Sequence, residues 1–188
     1  MTATRSSAEA ASASRYNHPA PLLFIGSLRS LPARHRTLDR IVALKLLNTA
    51  ATADPGYAER FRREAATAAR LDHPNIVTVH NAGDVRGRLF IDMRFVPGET
   101  LASLIAREAP VPLDRTVAIL RQVADALDHA HGARVVHRDV KPANVMIEAN
   151  GRASLADFGL ARPAADSHAG ATNTLPNAAG TLPYMAPE

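Results

Sequence analysis

The run His137-Arg138-Asp139-Val140-Lys141-Pro142-Ala143-Asn144, followed by Asp157-Phe158-Gly159, constrains this chain more than any other stretch in it. Asp139 is an acid able to accept a hydroxyl proton. It stands five positions before Asn144, an amide able to ligate a metal. A second acid, Asp157, follows on a separate loop and is also able to ligate a metal. So long an agreement of residue type with chemical role does not arise by chance.

The rest of the sequence narrows what can surround this site. With 188 residues, 46% hydrophobic and 21% charged, the chain can bury one ordinary core. It has no apolar run near the ~18 residues a membrane span requires. Cysteine is absent, which excludes disulfides, thiolate zinc sites and cysteine nucleophiles and fits a reducing, cytoplasmic setting. The net charge of +4 carries no basic block and no interleaved aromatics, so an Arg-rich surface is expected and nucleic acid is not an expected partner. Residues 1–20 open with an Ala-, Ser- and Thr-rich stretch and are expected to form a disordered tail.

Patterning divides the remainder in two. Leu22 to Leu31 is a short apolar patch broken by Pro32, and Thr37 to Leu47 reads as a strand around Lys45. A helix is expected from Asp54-Pro55 to about Leu71, with Phe61, Ala65 and Ala68 on one face. Ile76 to His80 and Arg88 to Val96 read as strands joined at Gly87. After Pro97-Gly98 the period changes. Leu113, Val117, Leu120, Ala124, Leu127 and His131 recur at helical steps, predicting an amphipathic helix of about five turns closed by Gly132. Asn150-Gly151 is a tight-turn signal between two short strands. No periodicity is visible from Ala161 onward.

These motifs together resemble a bacterial-type Ser/Thr protein kinase of the eukaryotic-like family. The resemblance runs over about residues 37–188. It implies an α+β, bilobal fold: a small β-rich N-lobe at 21–96 and, at 97–188, the first part of a mainly helical C-lobe. It implies ATP with Mg²⁺ (or Mn²⁺) as cofactors and Ser/Thr hydroxyls of protein substrates as acceptors. In Val42-Ala43-Leu44-Lys45, Lys45 would hold the α- and β-phosphates, and Glu64 in the following helix would pair with it. Asp139 would take the acceptor proton, Lys141 would neutralise the transferring phosphoryl group, and Asn144 and Asp157 would hold the metal. Phe158 would pack beside His137. Ala43 and Met146 would close the adenine from either side, beside Met93 and the backbone of Arg94 and Val96. In the activation segment, Thr172 and Thr174 are expected phosphorylation sites, Thr181 would contact Asp139, and Arg138 would receive the phosphate.

The sequence departs from the family pattern in three places. Where the resemblance calls for a glycine-rich loop, the chain reads Leu23-Phe24-Ile25-Gly26-Ser27-Leu28-Arg29-Ser30, with Gly26 the one glycine retained. An acid is usual at position 94, where this chain has Arg. The sequence closes on Ala186-Pro187-Glu188, and the later C-lobe helices implied by the resemblance are expected to be missing from this chain. The helix over 113–131 is therefore expected to leave an apolar patch in water and the chain to be marginally stable or to need a partner, either a second copy or a full-length kinase. The alternative to an active kinase is a catalytically impaired, pseudokinase-like module that binds ATP and regulates another kinase. A small-molecule phosphotransferase of the same architecture fits Thr181 and the Ala-Pro-Glu ending less well.

Overall fold

The computed structural model describes residues 16–17, 23–25, 28–47, 55–85 and 88–158. Strands β1 (Tyr16–Asn17), β2 (Leu23–Ile25), β3 (Leu28–His35), β4 (Arg40–Leu46), β5 (Val79–Val85) and β6 (Arg88–Arg94) form one sheet. Its order is β1-β3-β4-β6-β5, and β2 pairs with the other end of β3. Helix α1 (Pro55–Ala68) packs against β5. Strands β7 (Gly98–Thr100), β8 (Val145–Glu148) and β9 (Ala153–Leu155) form a second, three-stranded sheet. Helices α2 (Leu101–Glu108) and α3 (Leu113–Gly132) accompany it, and a 3-10 turn (Pro142–Asn144) leads into β8. This is the expected α+β arrangement, with a strand-rich half giving way to a helical one after Pro97.

Several elements differ from their expected limits. Within the apolar patch 22–31, β2 pairs antiparallel with β3, with Ile25 opposite Leu28. Pro32 does not end β3, because β2 and β1 pair only with its two ends and the segment between them leaves an edge that tolerates proline. Strand β1 also shows that pairing begins inside the segment expected to be a tail. The strand expected at Ile76–His80 forms later, as β5. Ile76 instead makes a lone parallel bridge to Leu155, and Val77 N–H donates to Leu155 O at 2.9 Å.

Helix α3 has the expected length, and the face it buries is offset from the stripe marked in the sequence, with Leu127 of that stripe still packed against the core. It buries Ile119, Val123, Ala126 and Ala130, and leaves Leu113, Val117 and Leu120 exposed. Both stripes are apolar, so periodicity alone cannot choose between them. Ala126 and Ala130, both fully covered, let the helix approach β9 closely, and that contact sets the phase. Helix α2 was not anticipated. Its cap is Thr100, whose side chain accepts from Ser103 N–H at 3.0 Å.

Two glycines have specific reasons. Gly151 takes φ +83° in the β8–β9 turn, where Asn150 Oδ1 accepts from Arg152 N–H at 2.9 Å. At Gly98 any Cβ would lie 2.1 Å from Ile147 O, so only glycine lets β7 press against β8. One continuous apolar core, from Leu47 and Phe61 through Leu104 and Ile119 to Phe158, unites the elements. Among the described residues, no helix is long and apolar enough to cross a membrane.

Candidate active site

The catalytic-loop residues are held by one another. Asn144 is buried, and its Nδ2 donates both to the backbone oxygen of Asp139 (2.8 Å) and to Asp139 Oδ2 (3.0 Å). Lys141 Nζ lies 2.7 Å from the same Asp139 Oδ2. The 3-10 turn makes this possible. Asn144 N–H donates to Lys141 O at 2.9 Å, folding the amide back over the acid. The chain then enters β8, and Asn144 O accepts from Ala156 N–H at 2.8 Å, tying the loop to the segment that carries Asp157.

His137 lies beneath this loop, almost fully buried. Its Nε2 donates to Ala156 O at 2.9 Å, while Nδ1 accepts from Asp139 N–H at 3.2 Å. That pair of bonds fixes a neutral imidazole with the proton on Nε2. Burial pushes its pKa below the usual value, against the weaker opposing pull of the Ala156 carbonyl and of Asp157 and Asp139. The His137 and Phe158 rings sit 4.5 Å apart, the contact expected from the sequence.

Lys45, next to the end of β4, is buried and meets Asp157 at 2.8 Å, with side-chain exposures of 4% and 14%. The expected Lys45–Glu64 pair is not the one formed. Glu64 instead faces Arg138 at 3.9 Å, a long contact between two substantially exposed groups. Arg138 and Asp157 adopt φ +65° and +67°. For residues with a Cβ such backbone costs about 1–3 kcal/mol, and it characteristically gathers at functional loops.

On the neighbouring side, Ala43 pairs across the sheet with Met93, and Met93, Val96 and Met146 are all buried. Met146 occupies the central strand of the second sheet, opposite Thr100 on β7 and Ser154 on β9. Arg94, the departure from the family pattern, turns its guanidinium to that sheet: Nη2 donates to Ser154 Oγ at 3.0 Å and Nη1 lies 3.5 Å from Glu148 Oε1. A second tie, also unforeseen, joins the loop before β5 to α3. Asn75 Nδ2 donates to Gln122 Oε1 (2.9 Å) and to Ala153 O (2.7 Å), and Gln122 Oε1 also accepts from Ala153 N–H at 2.9 Å. The Asp72-His73-Pro74-Asn75 break was visible in the sequence, but its partners were not. Thr172, Thr174, Thr181 and Gly26 lie outside the described residues.

The protein kinase domain family matches residues 29–188, starting somewhat before the motifs themselves begin. The chain is 45% identical over 150 residues to the serine/threonine-protein kinase PknE of Mycobacterium bovis, covering 80% of this chain and 26% of that protein. It is 45% identical over 149 residues to PknD of Mycobacterium tuberculosis, covering 79% and 22%. It thus spans about a quarter of the length of the curated relatives it matches. Its fold is similar to the solved kinase domain of Mycobacterium tuberculosis PknI, with a TM-score of 0.70 at 38% identity, covering 79% of this chain and 60% of that one. The family match, these relatives and the assembled loop agree: the chain belongs to the protein kinase family, among the bacterial eukaryotic-like Ser/Thr kinases.

Proposed function

We propose that this chain carries the catalytic machinery for transferring the γ-phosphoryl group of ATP to Ser or Thr hydroxyls of proteins. The observation that carries the reading is the closed set Asp139–Lys141–Asn144 set beside the Lys45–Asp157 pair. Asp139 accepts the acceptor hydroxyl's proton through a carboxylate oriented by Asn144. Lys141, already on that carboxylate, is placed to follow the charge onto the transferring group. Lys45 is the buried cation for the nucleotide phosphates.

The donor set fits Mg²⁺. Asn144 commits its amide nitrogen to Asp139, which leaves Oδ1 as its ligand atom, and Asp157 supplies a carboxylate. One carboxylate and one amide oxygen, completed by nucleotide phosphates and water, suit a cation that seldom takes an all-protein cage. When bound, Mg²⁺ neutralises phosphate charge. For Asp157 to serve it, the contact with Lys45 must loosen, and the phosphates are the group that would take up the lysine. Met93, Val96, Met146 and Ala43 would enclose the adenine. Thr172 and Thr174 remain the proposed phosphorylation sites, with Arg138 as receptor for the phosphate. Intact mass after incubation with ATP reads this directly, and no added phosphate would remove it.

The decisive assay is labelled ATP with Mg²⁺ and a generic protein substrate, comparing the chain with Asp139→Asn. Loss of a general base should lower turnover by about 10²–10⁴-fold. Equal signal from the two would defeat the catalytic reading. The second reading, a nucleotide-binding module with impaired transfer, is favoured by one observation: Glu64 faces Arg138 rather than Lys45. Binding of a fluorescent ATP analogue without phosphate transfer would select it.

A further inference from the structure

Arg94 stands where β6 leaves the first sheet, and three contacts hold it. Its backbone N–H donates to Thr78 O at 2.9 Å, just ahead of β5. Its guanidinium crosses to the second sheet, giving a 3.0 Å bond to Ser154 Oγ on β9 and approaching Glu148 on β8 at 3.5 Å. Ser154 is completely buried, and its hydroxyl has a further, longer approach of 3.5 Å to Pro74 O. A charged donor on a buried hydroxyl is a strong contact, and leaving that hydroxyl without it is costly.

The position of Ser154 gives the contact its meaning. Ser154 is the cross-strand partner of Met146, and β9 continues directly to Asp157. The chain itself joins the sheets at Phe95 to Pro97, the Ile76–Leu155 bridge and the Asn75 bond to Ala153 O tie the segment before β5 to β9, and Arg94 adds the side-chain tie from the end of β6. We infer that Arg94 is a positioning residue: its guanidinium fixes the nucleotide-binding segment 94–96 against the β8–β9 sheet, and so sets the spacing between the adenine enclosure and the phosphate-side residues Lys45 and Asp157. This rests on the proposed nucleotide site. It assigns to the Arg94 side chain a role in nucleotide affinity without contact with the nucleotide.

The charges make the role reversible by design. An acid at 94 in this chain would face Glu148, but a serine hydroxyl serves either partner, donating to a carboxylate as readily as accepting from a guanidinium. Exchanging the signs therefore restores all three groups, whereas reversing one does not.

The test is titration of the 188-residue chain with a fluorescent ATP analogue and Mg²⁺, alongside the thermal midpoint of each variant and the KM for ATP. Arg94→Met should weaken nucleotide binding about tenfold, which corresponds to about 1.4 kcal/mol. Arg94→Glu should weaken it further, and Arg94→Glu with Glu148→Arg should return it to within about threefold of the unaltered chain. Arg94→Lys, which keeps charge but loses the fork, should fall between. The effect should appear in KM for ATP, with kcat changed less than about twofold. Unchanged nucleotide affinity in Arg94→Met and Arg94→Glu overturns the inference. So does a lowered thermal midpoint with affinity intact, which would make Arg94 a structural tie only. If either charge variant fails to fold, Ser154→Ala and Arg94→Lys read the same contact, and normal affinity in both overturns it. No nucleotide binding by the unaltered chain overturns the kinase reading itself, and this inference with it.

Discussion

The catalytic loop and the Lys45–Asp157 junction sit side by side but are built by opposite strategies. In the loop, Asp139, Lys141 and Asn144 satisfy one another within a few residues, and the 3-10 turn that joins them is part of the same arrangement. At the junction, a lysine next to the end of β4 meets an acid that follows β9, and the geometry depends on how two sheets are held together. Local construction makes the loop insensitive to the relative placement of the sheets. Long-range construction makes the junction sensitive to it, and the same sensitivity allows Lys45 to hold Asp157 here while Glu64 lies against Arg138. The contacts of the loop are therefore local, and those of the junction are distributed.

The strongest way to break this comparison is at the junction. Asp157→Asn leaves the Lys45 ammonium buried without its counter-charge, which should cost about 3–5 kcal/mol by urea unfolding. Lys45→Met with Asp157→Asn should recover most of that loss, because no buried charge then remains. If the double variant is as unstable as the sum of the singles, the pair is not coupled and the junction is not what the geometry indicates. Next in size is the loop itself. Asn144→Ala removes two hydrogen bonds to Asp139 and should cost about 2 kcal/mol. Combined with Lys45→Met it should be additive to within about 0.5 kcal/mol, since the two networks share no side-chain partner.

What the sequence revealed follows the same division. The loop was legible because each residue's role is met by a neighbour a few positions away, so spacing alone carries the information. The β8–β9 turn was legible for that reason too, with Asn150 and Gly151 supplying its bond and its positive φ. Pairings between distant segments were not. Nothing near Glu64 in sequence says that it will lie against Arg138, and nothing near Asn75 names Gln122. The buried face of α3 was not legible for a related reason. Two apolar stripes compete along that helix, and the one that is buried is chosen by the closeness that Ala126 and Ala130 permit against β9.

The Asn75–Gln122 tie gives a smaller test of the distributed part. Gln122→Ala takes the acceptor from both Asn75 Nδ2 and Ala153 N–H, at a half-buried position where water can partly replace it. A loss of about 1–2 kcal/mol is expected by urea unfolding, with faster hydrogen exchange at Ala153. Exchange at Ala153 as slow as in the unaltered chain would show that the sheet does not depend on α3 for its hold.

The smallest effect expected is a pH dependence, and it tests whether His137 is a fixed part of the loop. In the folded chain burial holds its pKa below the usual 6.5, so between the two values the unfolded chain binds more protons than the folded one. Stability from this group is therefore complete above about pH 6.5 and is lost as pH falls through the lowered folded value. The cause is local. A proton added at Nδ1 would face the Asp139 N–H that now donates to it, breaking the bond that seats Asp139. Unfolding midpoints measured from neutral to mildly acidic pH should fall with a slope that His137→Phe flattens, since Phe keeps the packing against Phe158 but cannot titrate. Carboxylates away from the loop begin to protonate at the lower end of that range and act alike on both proteins, so the difference between the two slopes reports the imidazole together with the Asp139 and Asp157 charges it faces. Parallel slopes would mean that His137 stays unprotonated throughout, or that its protonated form is tolerated, and that the Asp139–His137 bond adds little to the hold on the loop.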